Sequence, residues 1–349
     1  MIKNKDEKLP LVSFIIPTFN TEKTLDLCLN SIFSQEYPKD RIEVLIIDGG
    51  STDRTLEIAK KYPTRILSNP FGHQDSFNGG RNIGVKAAKG ELLAFINSDQ
   101  ELSSSNWLKF MVKPFIEDNE IVESISSILI KKNDLAINRY NSYKEDPLLG
   151  SINRGVYSMY EYPKRLTTNS KSSYIAFYVR KNDPVEVFVG TGILVKKKAL
   201  IDIGGYDFDR DTAIRLINKG YNKFAFIDKV GIYHHHYHTN NFIMFIRRKI
   251  RLVKTYLRFR SLGIRGKEFE SYTIPSNKYS LIMFFIGVLY NLSFIGPLFY
   301  SIKMAIKYRD IAWLYHTYAV ISTLAIYVVL FIKDSTGRQI ILTKLKNIF

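Results

Sequence analysis

The sequence predicts an α/β protein with a mostly parallel central sheet, followed by two long apolar segments. Short apolar runs at 11–16, 42–47 and 92–96 have the length of buried strands, and polar residues follow each of them. Helical spacing of apolar residues follows the first two runs, and this alternation is typical of a doubly wound sheet. Such sheets bind ligands at the carboxyl ends of their strands, so the polar residues there are the first candidates for a site.

The first run ends in Pro17, Thr18 and Asn20. Between 24 and 33 the apolar residues recur at helical spacing, which predicts a helix directly after this strand. We therefore expect the three residues to lie at the strand's carboxyl end, next to the start of a helix.

The second run leads into 48–53 and then into a predicted helix at 55–62. One interpretation of this polar stretch is that Asp48, Ser51 and Asp53 only cap the helix that follows. Capping suits Ser51 or Asp53, whereas Asp48, at the very end of the strand, is also placed to contact a ligand.

Two glycines precede Arg81, and a short helix is predicted at 82–88. A guanidinium beside a helix N-terminus suits a diphosphate group. The alternative is an ion pair at the protein surface.

The third run, at 92–96, ends in Asn97, Ser98 and Asp99. A buried strand that delivers a carboxylate to its end places Asp99 for metal and phosphate chemistry. Taken alone, the same residues would make an ordinary polar turn.

Two further groups of polar residues lie near an expected helix at 212–219 and an expected strand at 223–233. Asp209 and Asp211 precede the helix, and one of them suits its N-cap. A run of histidines follows the strand, and only alternate members can converge in an extended chain: His234, His236 and His238. No cysteine or carboxylate cluster accompanies them, which argues against a separate zinc site.

The ordered set of these motifs resembles the family 2 glycosyltransferases over about the first two thirds of the chain. The resemblance continues at 204–207, with Gly-Gly-Tyr-Asp, and at 209–211, with Asp-Arg-Asp. Asn97 stands where the family usually has an aspartate, and Phe208 stands where it usually has a glutamate. The motifs that carry the resemblance are Pro17-Thr18-Phe19-Asn20, Asp48-Gly49-Gly50-Ser51-Thr52-Asp53, Gly80-Arg81-Asn82-Ile83-Gly84 and Asn97-Ser98-Asp99.

This resemblance implies the GT-A fold and inverting transfer of a sugar from a nucleotide-sugar donor, with Mg²⁺ or Mn²⁺. It implies that Asp48 reads the nucleobase and that Asp99 binds the metal, with His234 completing the donor or metal site. The nucleotide-sugar-binding residues that it implies are Pro17, Thr18, Asn20, Asp48, Arg81, Asn97 and Ser98.

For the acceptor, the resemblance implies that Asp209 is the general base, while Asp211 either contacts the acceptor or caps the helix. The expected acceptor is a lipid-linked saccharide or another glycan. A polyprenyl phosphate (dolichyl or undecaprenyl) glycosyl synthase is the alternative enzyme, and an inactive nucleotide-sugar-binding scaffold is the alternative without catalysis. The two acids at 209 and 211 favour transfer to a hydroxyl.

The formal charge of +17 suits a nucleic acid or an anionic membrane as partner, and its distribution favours the membrane. Between 242 and 267 there are nine basic residues and no acidic one. Residues 242–260 sort into an apolar and a basic face, typical of a helix in the headgroup plane, although a solvated face packed on the domain would look similar. We expect anionic lipid, and no nucleic acid, as a partner.

Two segments at 279–302 and 311–332 contain no Asp, Glu, Lys or Arg, and each is long enough to span a membrane. They predict a hairpin, although Asn291, Gly296 and Pro297 would suit a kinked or re-entrant first segment, and a pair of buried core helices is the alternative. The single cysteine, Cys28, permits no disulfide within the chain, and 1–9 has no apolar signal core.

Together with the positive-inside rule, these observations predict a cell-membrane protein with two spans and a cytoplasmic catalytic domain. The expected division is a GT-A domain at 1–240, a basic amphipathic helix at 241–270, a transmembrane hairpin at 271–335 and a cytoplasmic tail at 336–349. The stretch at 121–189 carries few signals.

Overall fold

A computed structural model describes residues 9–72, 79–143, 167–170, 173–179, 191–207, 209–235, 241–263 and 278–348. The chain forms two compact units, and each is made from two separate parts of the sequence. Unit 1 comprises Met1–Leu129 and Met159–His235, and unit 2 comprises Ile130–Ser158 and His236–Phe349. The division into two compact units does not test the four segments expected from the sequence, so those four segments remain a prediction.

The described strands all belong to unit 1. They are β1 (Val12–Thr18), β2 (Ile42–Asp48), β3 (Arg65–Ser68), β4 (Leu92–Phe95), β5 (Gln100–Leu102), β6 (Glu123–Leu129), β7 (Thr167–Ser170), β8 (Ile175–Tyr178), β9 (Ile193–Lys196) and β10 (Lys223–His234).

The described α-helices lie in both units. They are α1 (Leu25–Phe33), α2 (Thr55–Ala59), α3 (Arg81–Ala87), α4 (Trp107–Glu117), α5 (Ala136–Tyr143), α6 (Lys197–Asp202), α7 (Asp209–Asn218), α8 (Phe242–Ser261), α9 (Lys278–Leu292), α10 (Ile295–Tyr308), α11 (Tyr315–Lys333) and α12 (Ser335–Ile348).

The central sheet has the order β3-β2-β1-β4-β9-β6-β10-β8-β7, and β5 pairs with β10. Its first part is parallel, as predicted: β1 lies between β2 and β4 and is parallel to both. The expectation of a mostly parallel sheet is corrected, because β9 runs antiparallel to both β4 and β6. The α/β class is confirmed with a mixed sheet, since β8 also runs antiparallel to its neighbours β7 and β10.

The predicted helices of unit 1 are present with small shifts in their ends, except that the second is only Thr55–Ala59. In α1 the side chains of Leu25, Cys28, Leu29 and Ile32 are buried, as their helical spacing predicts. Helix α3 packs closely on β1 because residue 84 is glycine. A Cβ there would lie 2.4 Å from Cγ2 of Ile15.

In unit 2 the first apolar segment is a broken helix. Helices α9 and α10 meet at an angle of 76°. At the break Phe294 has a φ of 62°, and the Tyr290 hydroxyl donates a hydrogen bond of 2.9 Å to the carbonyl of Gly296. The Tyr290 ring lies so close to Gly296 that a Cβ there would be 2.4 Å from it. The structure therefore contains the kinked alternative and not one straight helix.

Among the described residues, only 311–333 forms a single helical segment long and apolar enough to cross a membrane. The pair Phe285–Leu292 and Ile295–Tyr308 meets the same condition only when both helices are taken together across their bend. Two spans therefore remain a prediction.

Helix α5 belongs to unit 2, and its sequence carries no sign of this. Arg139 forms two hydrogen bonds of 2.8 Å with the carboxylate of Asp310, and both side chains are mostly buried. The Tyr140 hydroxyl lies 3.0 Å from Nδ1 of the buried His316. Around them pack the aromatic rings of Tyr143, Tyr300, Tyr308 and Trp313.

We expect Asp310→Asn to lower the free energy of unfolding of unit 2 by about 3 kcal/mol, because it leaves the mostly buried Arg139 cation without its counter-charge. The hydrogen bond from Arg139 is the main cause that lowers the pKa of Asp310. The pair therefore stabilises the fold at neutral pH, and this contribution is lost as the pH falls through the lowered pKa. Denaturant unfolding in mild detergent at several pH values would measure both effects.

The matched control is Glu36→Gln. Glu36 pairs with Lys109 at 2.9 Å, but both side chains are about half exposed. Such pairs contribute little, so the control should change stability only slightly. Equal losses from the two variants would contradict a special role for the Arg139–Asp310 pair.

Candidate active site

Three parallel strands of unit 1 bring polar residues to one edge of the sheet. Thr18 lies beside Asp48 in the register of β1 and β2, and Ile15 lies beside Phe95 in the register of β1 and β4. The segments that follow β1, β2 and β4 therefore begin at a common edge, which is where open α/β sheets bind ligands.

Asp48 organises the loop that follows β2. Its carboxylate accepts hydrogen bonds from the backbone N–H groups of Gly50 and Ser51, at 3.0 Å each, and from the Ser51 hydroxyl at 2.6 Å. The Thr18 hydroxyl lies 3.5 Å from the same carboxylate. These bonds order the loop at 49–51 and do not reach α2, where it is Asp53 that accepts from the N–H of Thr55 at 3.0 Å. The contact of Asp48 with a nucleobase remains a prediction.

Asn20 ties the first loop to the second. It adopts a φ of 51°, in the left-handed region that asparagine tolerates better than most residues. Its backbone N–H donates to the Ser51 hydroxyl at 3.0 Å, and its side-chain oxygen accepts from the N–H of Thr52 at 2.8 Å. Pro17 lies within β1, half-buried, one residue before the end of the strand.

Arg81 is the first residue of α3 and is buried, with 2% of its surface exposed. Its guanidinium donates to the Tyr206 hydroxyl at 2.6 Å and to the side-chain oxygen of Asn97 at 3.2 Å. The guanidinium carbon lies 4.8 Å from the ring centre of Tyr206 and 5.7 Å from that of Phe95. Arg81 is therefore not at the surface, as the alternative required, and a diphosphate contact remains a prediction.

Asn82 fixes the loop that carries Tyr206. Its amide group donates to the Tyr206 carbonyl at 2.6 Å and accepts from the Tyr206 N–H at 2.8 Å. Gly205 has a φ of 103°, and a Cβ there would lie 2.6 Å from the Asn82 side-chain oxygen. Sequence reasoning assigned no role to Tyr206 or Asn82, although both stand inside the motifs that carry the resemblance.

Buried side chains fix the turn at 97–99 by hydrogen bonds. Gln100 accepts from the N–H of Asn97 at 2.9 Å, and the Thr191 hydroxyl donates to the same Gln100 oxygen. Ser98 is buried. The thiol of Cys28 lies 3.7 Å from the Asn97 carbonyl, and burial, together with the charge of Asp99, raises the pKa of this thiol. Cys28 is thus a neutral packing residue beneath the turn.

Asp99 and His234 meet because β5 runs antiparallel to β10, with Gln100 opposite His234. Their side chains are 3.1 Å apart, from Oδ2 to Nε2, and both are partly exposed. A second pair, Glu101 and His235, lies beside them at 3.0 Å. The sequence analysis missed the pair of Glu101 and His235. Two acids spaced two residues apart, together with two consecutive histidines, could have indicated it. His236 and His238 lie outside the described residues.

The Asp99 and His234 atoms fit one divalent cation. Two neighbouring ligands in an octahedron, each about 2.1 Å from the metal, lie about 3 Å apart. A carboxylate with an imidazole suits Mn²⁺, whereas Mg²⁺ prefers oxygen. No group of three metal-ligating side chains occurs among the residues that the structure covers, so phosphate oxygens or water would complete such a site.

Helix α7 begins at Asp209, whose side chain lies outside the described part of the structure. Asp211, two residues further on, is completely buried. The Thr212 hydroxyl bonds both the N–H and the carbonyl of Asp207, at 2.8 and 3.0 Å, which joins the start of α7 to the loop before it. The roles expected for Asp209 and Asp211 remain predictions.

A family model described as "Glycosyl transferase family 2" matches residues 13–204, more than half of the chain. Glycosyltransferase AglE of Haloferax volcanii is 32% identical over 150 residues, which are 42% of this chain and 49% of that protein. A dolichyl N-acetyl-α-D-glucosaminyl phosphate 3-β-D-2,3-diacetamido-2,3-dideoxy-β-D-glucuronosyltransferase of Methanococcus voltae is 54% identical over 50 residues, 14% of this chain and 16% of that one. The chain thus matches about half the length of the first relative and a small part of the second.

Among solved structures, the mannosyltransferase PcManGT from Pyrobaculum calidifontis in complex with GDP-Man and Mn²⁺ has a similar fold. The TM-score is 0.53 at 18% identity, and the match covers 91% of this chain and 87% of that one. At this identity the likeness concerns the fold alone.

We expect Tyr206→Phe to lower the free energy of unfolding of unit 1 by about 2 kcal/mol, because the buried Arg81 guanidinium loses an acceptor. Tyr62→Phe is the control: its hydroxyl donates to Asp26 at 2.9 Å in an exposed position, and its loss should cost under about 1 kcal/mol. Denaturant unfolding followed by tryptophan fluorescence would compare the two. An unchanged Tyr206→Phe variant would show that the Arg81–Tyr206 bond does not support the fold.

Proposed function

Because this chain belongs to the family 2 glycosyltransferases, we propose that it transfers a sugar from a nucleotide-sugar donor to a lipid-linked saccharide or another glycan at a membrane. The observation that carries this proposal is the Asp99–His234 pair at the sheet edge where Thr18, Asp48 and Asn97 also lie. The relatives support the acceptor class, since the Methanococcus voltae enzyme acts on a dolichyl-phosphate-linked sugar.

The donor occupies the edge formed after β1, β2 and β4. Asp48 accepts an N–H of the nucleobase, with Pro17, Thr18 and Asn20 lining the same pocket. Asn97 and Ser98 contact the ribose and diphosphate of the donor. Arg81, which is buried and donates a hydrogen bond to Asn97, contributes positive charge next to them. The structure with GDP-Man supports a donor of this class on this fold.

Asp99 and His234 hold Mg²⁺ or Mn²⁺ in this proposal. The metal, when bound, neutralises negative charge on the leaving diphosphate. Mn²⁺ accompanies the donor in PcManGT. The protein's own part is to present two ligands already about 3 Å apart, fixed by the pairing of β5 with β10.

Asp209 acts as the general base toward the acceptor. It takes the proton of an acceptor hydroxyl while the hydroxyl oxygen attacks the anomeric carbon, and the bond to the diphosphate breaks on the opposite side of the sugar. This accounts for inversion. Asp211 is buried in the first turn of the same helix. A phosphate acceptor is already an anion and would need no base.

Unit 2 attaches the enzyme to a membrane, with the catalytic unit on the cytoplasmic side. Only 39% of the apolar window in 311–333 is buried, which argues against a core helix. Exposed apolar side chains also occur along the broken pair, among them Ile282, Phe285, Leu289, Ile295, Phe299 and Ile306. Anionic lipid is the expected partner of α8, several of whose cations face outward.

We expect Asp99→Ala to reduce metal-stimulated transfer about a hundredfold or more while the fold survives, because the phosphate charge is no longer compensated. Mn²⁺ binding in the presence of a nucleoside diphosphate, measured by calorimetry, should be lost as well. Glu101→Ala is the matched control, since it removes the neighbouring acid that also faces a histidine. If Glu101→Ala lost metal binding and Asp99→Ala kept it, the metal would bind at Glu101 and His235 and not at Asp99 and His234.

The variant Asp209→Asn tests the acceptor class. With a sugar hydroxyl as acceptor, kcat should fall by about 10²- to 10⁴-fold with little change in the KM for the donor. With a lipid phosphate as acceptor, kcat should change little. We expect the large loss. An equal loss from Asp211→Asn, in a protein that remains folded, would indicate that the other carboxylate is the base.

A further inference from the structure

Helix α8 presents one stripe of exposed cations. Arg247, Arg251, Lys254 and Arg258 recur at intervals of four, three and four residues, and all are exposed. This spacing places them on a single face. The other side of α8 is buried within unit 2 and includes Phe245, Val253, Tyr256 and Leu257.

Helix α11 runs beside α8 in the same direction over most of its length. Near the start of both helices, Phe242 stacks on Tyr315 with ring centres 6.2 Å apart. Near the end of both, Tyr256 stacks on Phe331 at 6.0 Å. The two contacts are separated by about 21 Å along α8 and about 24 Å along α11, at 1.5 Å per residue.

This pairing constrains how α11 can meet a membrane. If α11 crossed the bilayer, α8 would cross with it, because the two helices touch near both ends. Arg247, Arg251 and Lys254 would then lie within the hydrocarbon although they are exposed at the surface of unit 2. Charged side chains inside a membrane face the protein interior or a water-filled cavity, so this arrangement is strongly unfavourable.

The exposed apolar residues of α11 and the turn before it form a stripe and not a ring. They are Ile311, Leu314, Tyr318, Val328, Val329 and Ile332. On its other sides His316, Thr317 and Thr323 are buried. A helix with one apolar face toward lipid and its remaining faces covered suits a position in the membrane plane.

The helices on either side of α11 agree with this position. Helices α9 and α10, with 15 and 14 residues, would each reach only about 22 Å, short of a hydrocarbon core of about 30 Å. The C-terminal helix α12 returns to α8, where Ile340 packs in one cluster with Val253, Tyr256 and Leu257. Both ends of α11 are thus tied to the same basic helix.

We propose that unit 2 is monotopic: α8, α11 and α12 lie in the plane of a membrane surface that contains anionic phospholipid, and none of the described helices of unit 2 crosses the bilayer. This rests on the membrane attachment proposed above and replaces the predicted hairpin by an in-plane platform. The cations of α8 meet the headgroups, and the apolar stripe of α11 enters the acyl boundary.

Single-cysteine labelling of the full-length chain tests this. Cys28 is completely buried and is the only cysteine of the sequence, so the background reaction is low. Exposed lysines provide three reporter variants: Lys61→Cys in unit 1, Lys303→Cys in α10 and Lys346→Cys in α12. Inside-out and right-side-out membrane vesicles from an expressing bacterium are treated with a membrane-impermeant maleimide.

The proposal predicts that all three introduced thiols react in the same vesicle preparation. If the thiol of Lys303→Cys were reached from the side opposite to that of Lys61→Cys, the predicted two-span hairpin would be correct. If the thiol of Lys346→Cys were reached from the opposite side, α11 would be a single span. A Lys303→Cys variant that reacted only in detergent would also overturn an in-plane platform. A chain that stayed in the soluble fraction would refute membrane attachment itself.

A second measurement tests whether anionic phospholipid binds the exposed cations of α8. Replacing Arg247, Arg251, Lys254 and Arg258 by glutamine should weaken binding to vesicles of phosphatidylcholine with phosphatidylglycerol, relative to phosphatidylcholine alone, by about a thousandfold, since each cation contributes about 1 kcal/mol. The control removes four exposed cations of unit 1, by replacing Lys60, Lys61, Lys86 and Lys89 with glutamine. Equal losses from both variants, or none from the first, would overturn the assignment of this surface.

Discussion

The burial of one guanidinium constrains most of the site in unit 1. Arg81 lies against the rings of Phe95 and Tyr206, which also contact each other, and it is shielded from water. A desolvated charge is tolerated only where hydrogen bonds replace its hydration. Its donors reach Asn97 on one side and Tyr206 on the other. The turn that presents Asp99 and the loop that leads to α7 are therefore held by the same cation, and neither can move without disturbing the other.

The elements that were predictable from sequence are those whose signal is local. Strands β1, β2 and β4 are buried on both faces, so they read as continuous apolar runs, and α1 shows its buried face in its spacing. Because these strands are parallel neighbours, the expectation that Thr18, Asp48 and Asn97 gather at one edge required no knowledge of side-chain contacts. Burial of Arg81 was not foreseeable, since its partner Tyr206 lies 125 residues further along the chain.

The missed features depend on pairing between distant parts of the chain. Strand β9 inserts between β4 and β6 against their direction, and four residues of Ile-Leu-Val-Lys carry no signal of direction. Helix α5 has a polar sequence, yet Tyr140 is completely buried against a helix more than 150 residues later. The broken apolar segment was foreseeable in part, because Asn291 and Pro297 mark it, but the ring of Tyr290 that occupies the space beside Gly296 was not.

The interleaving of the two units also sets an order of events during synthesis. Arg139 leaves the ribosome 171 residues before Asp310, its partner. Until then α5 has neither its counter-charge nor the ring of Trp313, while β10, the last strand of the sheet, is already available to complete unit 1. Because a loop of this length must close after most of the chain has been made, the Arg139–Asp310 contact forms late in folding.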